Sequence, residues 1–331
     1  GVLMLMFNAG LGTDLRDLIK TGPKAVLIAC AGVFVPLGGG FLLYSCFYGF
    51  ANTGTTEFYE ALFVGVIMTA TSVSITVETL RELGKLKGIV GTTILSAAIV
   101  DDIIGIIVLT FVIGFKNSSV SPSKVIINTI LFFVFASLVG VIFYYLFKFL
   151  DSKTPHSRRI PIFGLALCFA MAYMAEKYFG IADITGAFVA GIILCSIKDS
   201  EYIAEKMDIS SYMIFGPIFF ASIGLKTDID GISTKLLVFS ALFVIVALGT
   251  KIIGCGLMAK LCRFNNKDAL KIGVGMMTRG EVALIVAQKG LAVNMIDSVY
   301  FTTVILLIIC SSLITPVIMK ILYRNEMKTD S

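Results

Sequence analysis

Apolar stretches dominate the chain, and its polar residues fall mostly in the gaps between them. Bracketed by charges and turn residues, ten apolar runs can be drawn at 25–50, 58–77, 89–115, 125–150, 160–175, 184–197, 209–225, 236–258, 272–287 and 299–323, with an eleventh at 1–11. Most are long enough for a helix rising about 1.5 Å per residue to cross hydrocarbon about 30 Å thick, whereas residues 1–11 reach only about half way. The pattern predicts an all-α polytopic membrane protein. Residues 1–11 read as the second half of a helix and do not have the basic flank of a signal peptide.

Composition agrees. Hydrophobic residues make up 57% of the chain and charged residues 15%, and the mean hydropathy is +0.94; a soluble globular chain has about 45–50% apolar and about 25% charged residues. Numbering the runs from the N-terminus, the loops after odd-numbered runs and the C-terminal tail, together with Lys148 and Lys320 at the run ends beside them, carry nineteen Lys and Arg, against six in the opposite loops. The positive-inside rule therefore places the tail in the cytoplasm. The net charge of +5 is a topology signal and does not point to a nucleic-acid partner. The seven Cys lie in or at the ends of apolar runs without C-x-x-C spacing, and the single His156 sits in a basic loop. No metal centre or resident cofactor is expected.

Two short segments recur. GLGTDL at 10–15 is echoed by GLKTDI at 224–229, and GVIMTATS at 65–72 by GVGMMTRG at 273–280. Each pair lies seven runs apart. An odd spacing makes the two copies cross the membrane in opposite directions, as in the inverted repeats of secondary transporters. The third and tenth runs are expected to be interrupted: residues 69–76 (TATSVSIT) are dense in hydroxyls, and Gly280 stands between the charges of Arg279 and Glu281. Unwound backbone at membrane depth is tolerated only where it is buried in protein or lines a cavity.

The charges inside the runs carry the candidate chemistry. Asp101 and Asp102 occupy positions 13 and 14 of the 27-residue run 89–115. A carboxylate at the bilayer centre costs about 2.5–3.5 kcal/mol on insertion scales, so the pair requires a function or a partner. Adjacent helical residues point about 100° apart; one Asp can hold a partner while the other faces an aqueous cavity. Lys251, deep in run 236–258, is the expected partner of Asp101. Two Asp and one Lys leave a net charge of minus one, a site for one small cation. Sodium, a hard ion, takes oxygen ligands, so Asp102 supplemented by Thr71 and Ser72 is the expected transient Na+ site. When the cation leaves, low-dielectric surroundings favour the protonated carboxyl, and competition of Na+ and H+ for one group suffices for exchange. Arg279 and Glu281 are expected to balance each other and the partial charges of the half-helix ends.

The stretches TATSVSITVETLRELGKL, AAIVDDIIGIIVL, DITGAFVAGIIL, PIFFASIGLKTD, GTKIIGCG and MTRGEVALIVAQKG together resemble the bacterial sodium/proton antiporters of the cation:proton antiporter 2 family, NapA type. The resemblance implies an inverted-repeat cation/proton antiporter fold with two crossed, interrupted helices, in a homodimer in the cytoplasmic membrane. It implies panel-domain residues 1–20 and 160–230, core halves 21–115 and 231–331, and a linker helix with a basic loop at 116–159. It further implies Asp102 as the ion and proton carrier, Asp101 paired with Lys251, Thr71 and Ser72 at the helix crossing, and electrogenic exchange.

Two rivals are weighed. A Kef-type potassium efflux antiporter is related, but there a Gln usually stands at the position of Asp101 and a cytosolic nucleotide-binding domain follows. An intramembrane aspartyl protease also uses two membrane carboxylates, but its dyad must meet face to face, and adjacent residues on one helix cannot do so. No enzymatic activity is expected.

Overall fold

In the computed structural model, the described residues are 2–12, 15–86, 88–116, 122–153, 159–210, 213–214, 217–218, 221, 225 and 234–327. They form thirteen helices: α1 Val2–Leu11, α2 Leu15–Tyr48, α3 Thr56–Thr69, α4 Val73–Glu82, α5 Ile89–Lys116, α6 Pro122–Lys153, α7 Arg159–Phe179, α8 Asp183–Leu194, α9 Ser200–Ser210, α10 Thr234–Leu261, α11 Asn266–Gly275, α12 Glu281–Ala292 and α13 Tyr300–Met327. Among the described residues six helices are long and apolar enough to cross a membrane, with spans Gly22–Tyr48, Ile89–Phe115, Ser123–Phe147, Arg159–Phe179, Thr234–Leu261 and Tyr300–Arg324. The chain is thus a multi-pass, all-α membrane protein. Most of the apolar run 209–225, all but residue 225 of the echo at 224–229, and the loop His156 lie outside the described residues.

The third and tenth apolar runs are each broken in two, as expected from their composition. Residues 70–72 separate α3 from α4, and residues 276–280 separate α11 from α12. Both interruptions fall within the echoed segments 65–72 and 273–280. α2 bends at Gly22, whose φ of 64° lies in the left-handed region that favours glycine.

The chain divides into two compact units. One comprises Gly1–Leu15 and Thr110–Leu225. In it α8 is the central element, packed by α1 and α7, and α6, the segment read as a linker, packs along α7 and α8. The sequence of α8 allows this close approach because Gly186, Ala187, Ala190 and Gly191 set small residues four apart along two faces. A Cβ at Gly191 would overlap Phe7 and Gly10 of α1, and one at Gly186 would overlap Met171 and Ala172 of α7.

The other unit comprises Arg16–Leu109 and Lys226–Ser331. α10 packs against α11, α13 and α3, while α12 packs against α3 and α13. A core of Ala25, Ile28, Ala97, Ala98, Cys255, Ile272, Met276 and Met277 lies among α2, α5, α10 and the second interrupted run. At one end the Tyr44 O–H of α2 donates to the Glu60 carboxylate of α3 at 2.6 Å.

The glycine contacts of α8 give the first prediction. Gly191→Leu forces a side chain into α1 backbone and is expected to destabilise the protein by about 1–3 kcal/mol, read as a lower melting temperature in detergent; wild-type melting overturns the close-approach account.

Candidate functional site

The two interruptions are joined to each other by hydrogen bonds. Ser72 N donates to Thr278 O at 2.8 Å. Thr76 Oγ1 donates to Gly275 O at 2.8 Å and lies 3.0 Å from Thr278 Oγ1. Gly280 is extended (φ −153°), a conformation open to any residue; what requires glycine there is space, because a Cβ would stand 2.6 Å from Ser72 Oγ.

Ending α3 and α11 here aims unsatisfied carbonyls, the negative ends of two helix dipoles, into a buried interior. Two buried cations meet them. Lys251 Nζ, with a side chain 0% exposed, donates to Thr69 O at 3.1 Å, to Gly32 O of α2 at 2.7 Å and to Asp101 Oδ1 at 2.7 Å. All three of its N–H donors are used. Arg279 Nη2 donates to Met68 O at 2.7 Å and to Ala247 O at 3.3 Å, while Nη1 reaches Met276 O and Thr278 O at 3.4 and 3.5 Å.

The expectation for Arg279 holds for the half-helix ends and is corrected for Glu281. Among the described residues no ion pair joins Arg279 to Glu281; the guanidinium serves backbone carbonyls of both interrupted runs and of α10. Its planar fork of five donors suits that task. Glu281, the first residue of α12, is partly exposed.

The adjacent aspartates have different surroundings. Asp101 is 2% exposed and saturated: Lys251 bonds one carboxylate oxygen at 2.7 Å, and Thr71 Oγ1 donates to the other at 2.7 Å. Asp102 is partly exposed, and no ion pair or hydrogen bond engages its side chain among the described residues. The cause is local: both sit on α5, where consecutive side chains point about 100° apart. The hydroxyl proton of Thr71, expected beside Asp102, is committed to Asp101.

The structure adds a residue that the sequence reading missed. Gly32 supplies a carbonyl to Lys251, and a Cβ on it would lie 2.8 Å from Cys255 Sγ, 3.0 Å from Asp101 Oδ1 and 3.3 Å from Lys251 Nζ. Its only signal is indirect, in the small residues Gly254 and Cys255 that follow Lys251 and let α2 approach; a Cβ at Gly254 would stand 2.8 Å from Ala31 O.

Removing Lys251 leaves a buried carboxylate and two carbonyls without their donor. Lys251→Ala is therefore expected to destabilise the protein by about 3–5 kcal/mol, seen as a fall in melting temperature in detergent, and Asp101→Asn in the same chain should recover part of the loss. An unchanged melting temperature overturns the pair's structural role. Gly32→Val should lower the melting temperature as well, because the added side chain meets Cys255 and the ion pair together.

The chain matches the family described as sodium/hydrogen exchanger, transmembrane, over residues 1–324. It is 38% identical over 326 residues to the Na+/H+–K+ antiporter GerN of Bacillus cereus, covering 97% of this chain and 81% of that protein. It is 35% identical over 324 residues to the Na+/H+ antiporter of Enterococcus hirae, covering 97% of this chain and 82% of that one. The high-affinity Na+/H+ antiporter NhaS3 of Synechocystis is 28% identical over 346 residues, covering 100% of this chain and 72% of that protein. A family match across nearly the whole chain, on a membrane fold with two interrupted helices around buried charges, means that the protein belongs to the transmembrane sodium/hydrogen exchanger family.

Proposed function

We infer that the protein is a secondary active transporter exchanging Na+ for H+, with Asp102 as the group for which the two ions compete. The observation that carries this reading is the asymmetry of the aspartates. Asp101 is held by Lys251 and Thr71, so its charge is compensated within the protein, whereas Asp102 is partly exposed and unengaged among the described residues. A carboxylate in that position needs either a cation or a proton. Similarity to Na+/H+ antiporters at 35–38% identity supports sodium as the cation.

In this mechanism Asp102 releases its proton on one side of the membrane, binds Na+, and is exposed to the other side before the reverse exchange. The ion meets a hard carboxylate oxygen, and Ser72 and Glu281, at the two interruptions, are the proposed further oxygens. Lys251 and Arg279 keep the carbonyl ends of the interrupted helices compensated through both half-cycles. One carboxylate that trades one Na+ for one H+ moves no net charge; electrogenic exchange therefore rests on the family resemblance and requires a second proton-carrying group beside Asp102.

The distribution of Lys and Arg supports a cytoplasmic C-terminus in a bacterial cytoplasmic membrane. A homodimer belongs to the same proposal and rests on the family resemblance.

The test is reconstitution into proteoliposomes carrying a luminal pH reporter, with Na+, Li+ or K+ added outside and the voltage clamped or free. Na+ is expected to drive proton movement, and Asp102→Asn to reduce it to the level of empty liposomes. Retained sodium-driven proton flux in that variant overturns the carrier assignment. Movement with K+ alone overturns sodium as the substrate.

A further inference from the structure

The backbone of the second interruption is held by a residue outside the charged constellation. Arg279 N donates to Ser311 Oγ of α13 at 3.0 Å, and both residues are fully buried. A peptide N–H that lies between two half-helices is not satisfied by a regular helical ladder, so when buried it needs a partner from elsewhere in the protein.

α13 itself sets this hydroxyl up as an acceptor. Ser311 Oγ donates back to Ile308 O at 3.0 Å, and Thr315 Oγ1 donates to Ser311 O at 2.7 Å. A serine hydroxyl has one proton and two lone pairs; with the proton turned back along its own helix, a lone pair is left for Arg279 N. Arg279 O, a second acceptor for that proton, is farther away at 3.5 Å. On its other side the same backbone is pinned by the first interruption, through Ser72 N to Thr278 O at 2.8 Å, and Gly280 has no room for a Cβ against Ser72. Arg279 is therefore fixed at both ends, its guanidinium on Met68 O and Ala247 O and its backbone on α13.

The echoed segments show a parallel in the other half of the chain. They pair Thr71 with Arg279, each the seventh residue of its copy. Thr71 is bonded to Asp101, the thirteenth residue of α5, and Arg279 to Ser311, the twelfth of α13. α5 and α13 are both 28 residues long, and each is the long helix that follows an interrupted run. Matching residues of the two interruptions are thus tied to matching points of two long helices, once by a carboxylate and once by a neutral hydroxyl.

Resting on the exchange reading, we propose that Ser311 is a positioning residue for transport, holding residues 278–280 against Ser72 and thereby setting the surroundings in which Asp102 takes up its ion. It acts through the Arg279 backbone and does not itself touch the ion. Being neutral, it anchors the second interruption without adding a charge to a balance already made by Asp101, Asp102 and Lys251.

Proteoliposomes in which proton movement is recorded against Na+ concentration test this. Ser311→Ala and Ser311→Cys remove the hydroxyl oxygen with little change of volume, and each is expected to raise the half-saturating Na+ concentration roughly three- to ten-fold. Ser311→Thr, which keeps the oxygen, should stay within about two-fold of wild type, and so should Thr315→Val, which removes an equally buried hydroxyl whose bond lies within α13. A fall in maximal rate with the half-saturating concentration unchanged overturns positioning in favour of a purely structural role. An equal rise in Thr315→Val overturns it in favour of general packing of α13, and a Ser311→Thr variant as impaired as Ser311→Ala overturns the part given to the hydroxyl. Should Ser311→Ala not reach the membrane, Ser311→Cys carries the same prediction. Absence of sodium-driven proton movement in wild type defeats the exchange reading itself; wild-type exchange with Ser311→Ala unaltered defeats only the positioning role.

Discussion

Inside hydrocarbon every backbone polar group and every charge has to find its partner within the protein, and much of this molecule follows from that constraint. An uninterrupted helix satisfies it alone. The two interrupted runs do not, because each ends a helix at depth and leaves carbonyls facing inward. Lys251 and Arg279 supply the donors. Lys251 bonds Thr69 O and Gly32 O, and Arg279 bonds Met68 O and Ala247 O among others. Once Lys251 is buried for this purpose it needs a counter-charge, and Asp101 provides it at 2.7 Å. Seen this way, the ion pair is part of the backbone's hydrogen-bond accounting as well as a charge balance.

That accounting separates two roles that adjacent aspartates would otherwise share. With Lys251 and Thr71 committed to Asp101, Asp102 is left as the carboxylate of the pair whose charge has no fixed partner among the described residues. A group balanced by the protein stays as it is through a transport cycle, while a group balanced only by what arrives from solution can exchange one ion for another. The turn of about 100° between neighbours on a helix is enough to produce this division from two identical residues.

Much of the fold was legible in the chain because membrane burial imposes a strong one-dimensional pattern. The long runs correspond to α2, α5, α6, α7, α10 and α13, and the hydroxyl-rich stretch at 69–76 and the glycine between two charges at 280 marked where helices stop. The partnership of Asp101 with Lys251 was legible too, since two isolated charges at similar depth have few other options. Arg279 was misjudged in its partner. Sequence proximity suggested Glu281, two residues on, but the nearer and more demanding groups were carbonyls from α3 and α10, far away in the chain.

What the sequence determined by itself was therefore the set of spans, the places where helices are interrupted and the residues whose charge is too costly to be idle, because each depends on composition along a single segment. What only the tertiary structure decided was which groups share those charges. Gly32 enters the site through a carbonyl and a missing Cβ, neither of which leaves a mark in the residue pattern. Thr71 turns to Asp101, and Ser72 meets the second interruption at Thr278. Hydrogen bonds and close approach depend on distances of a few tenths of an ångström between segments up to some two hundred residues apart, and those distances exist only once the helices have packed.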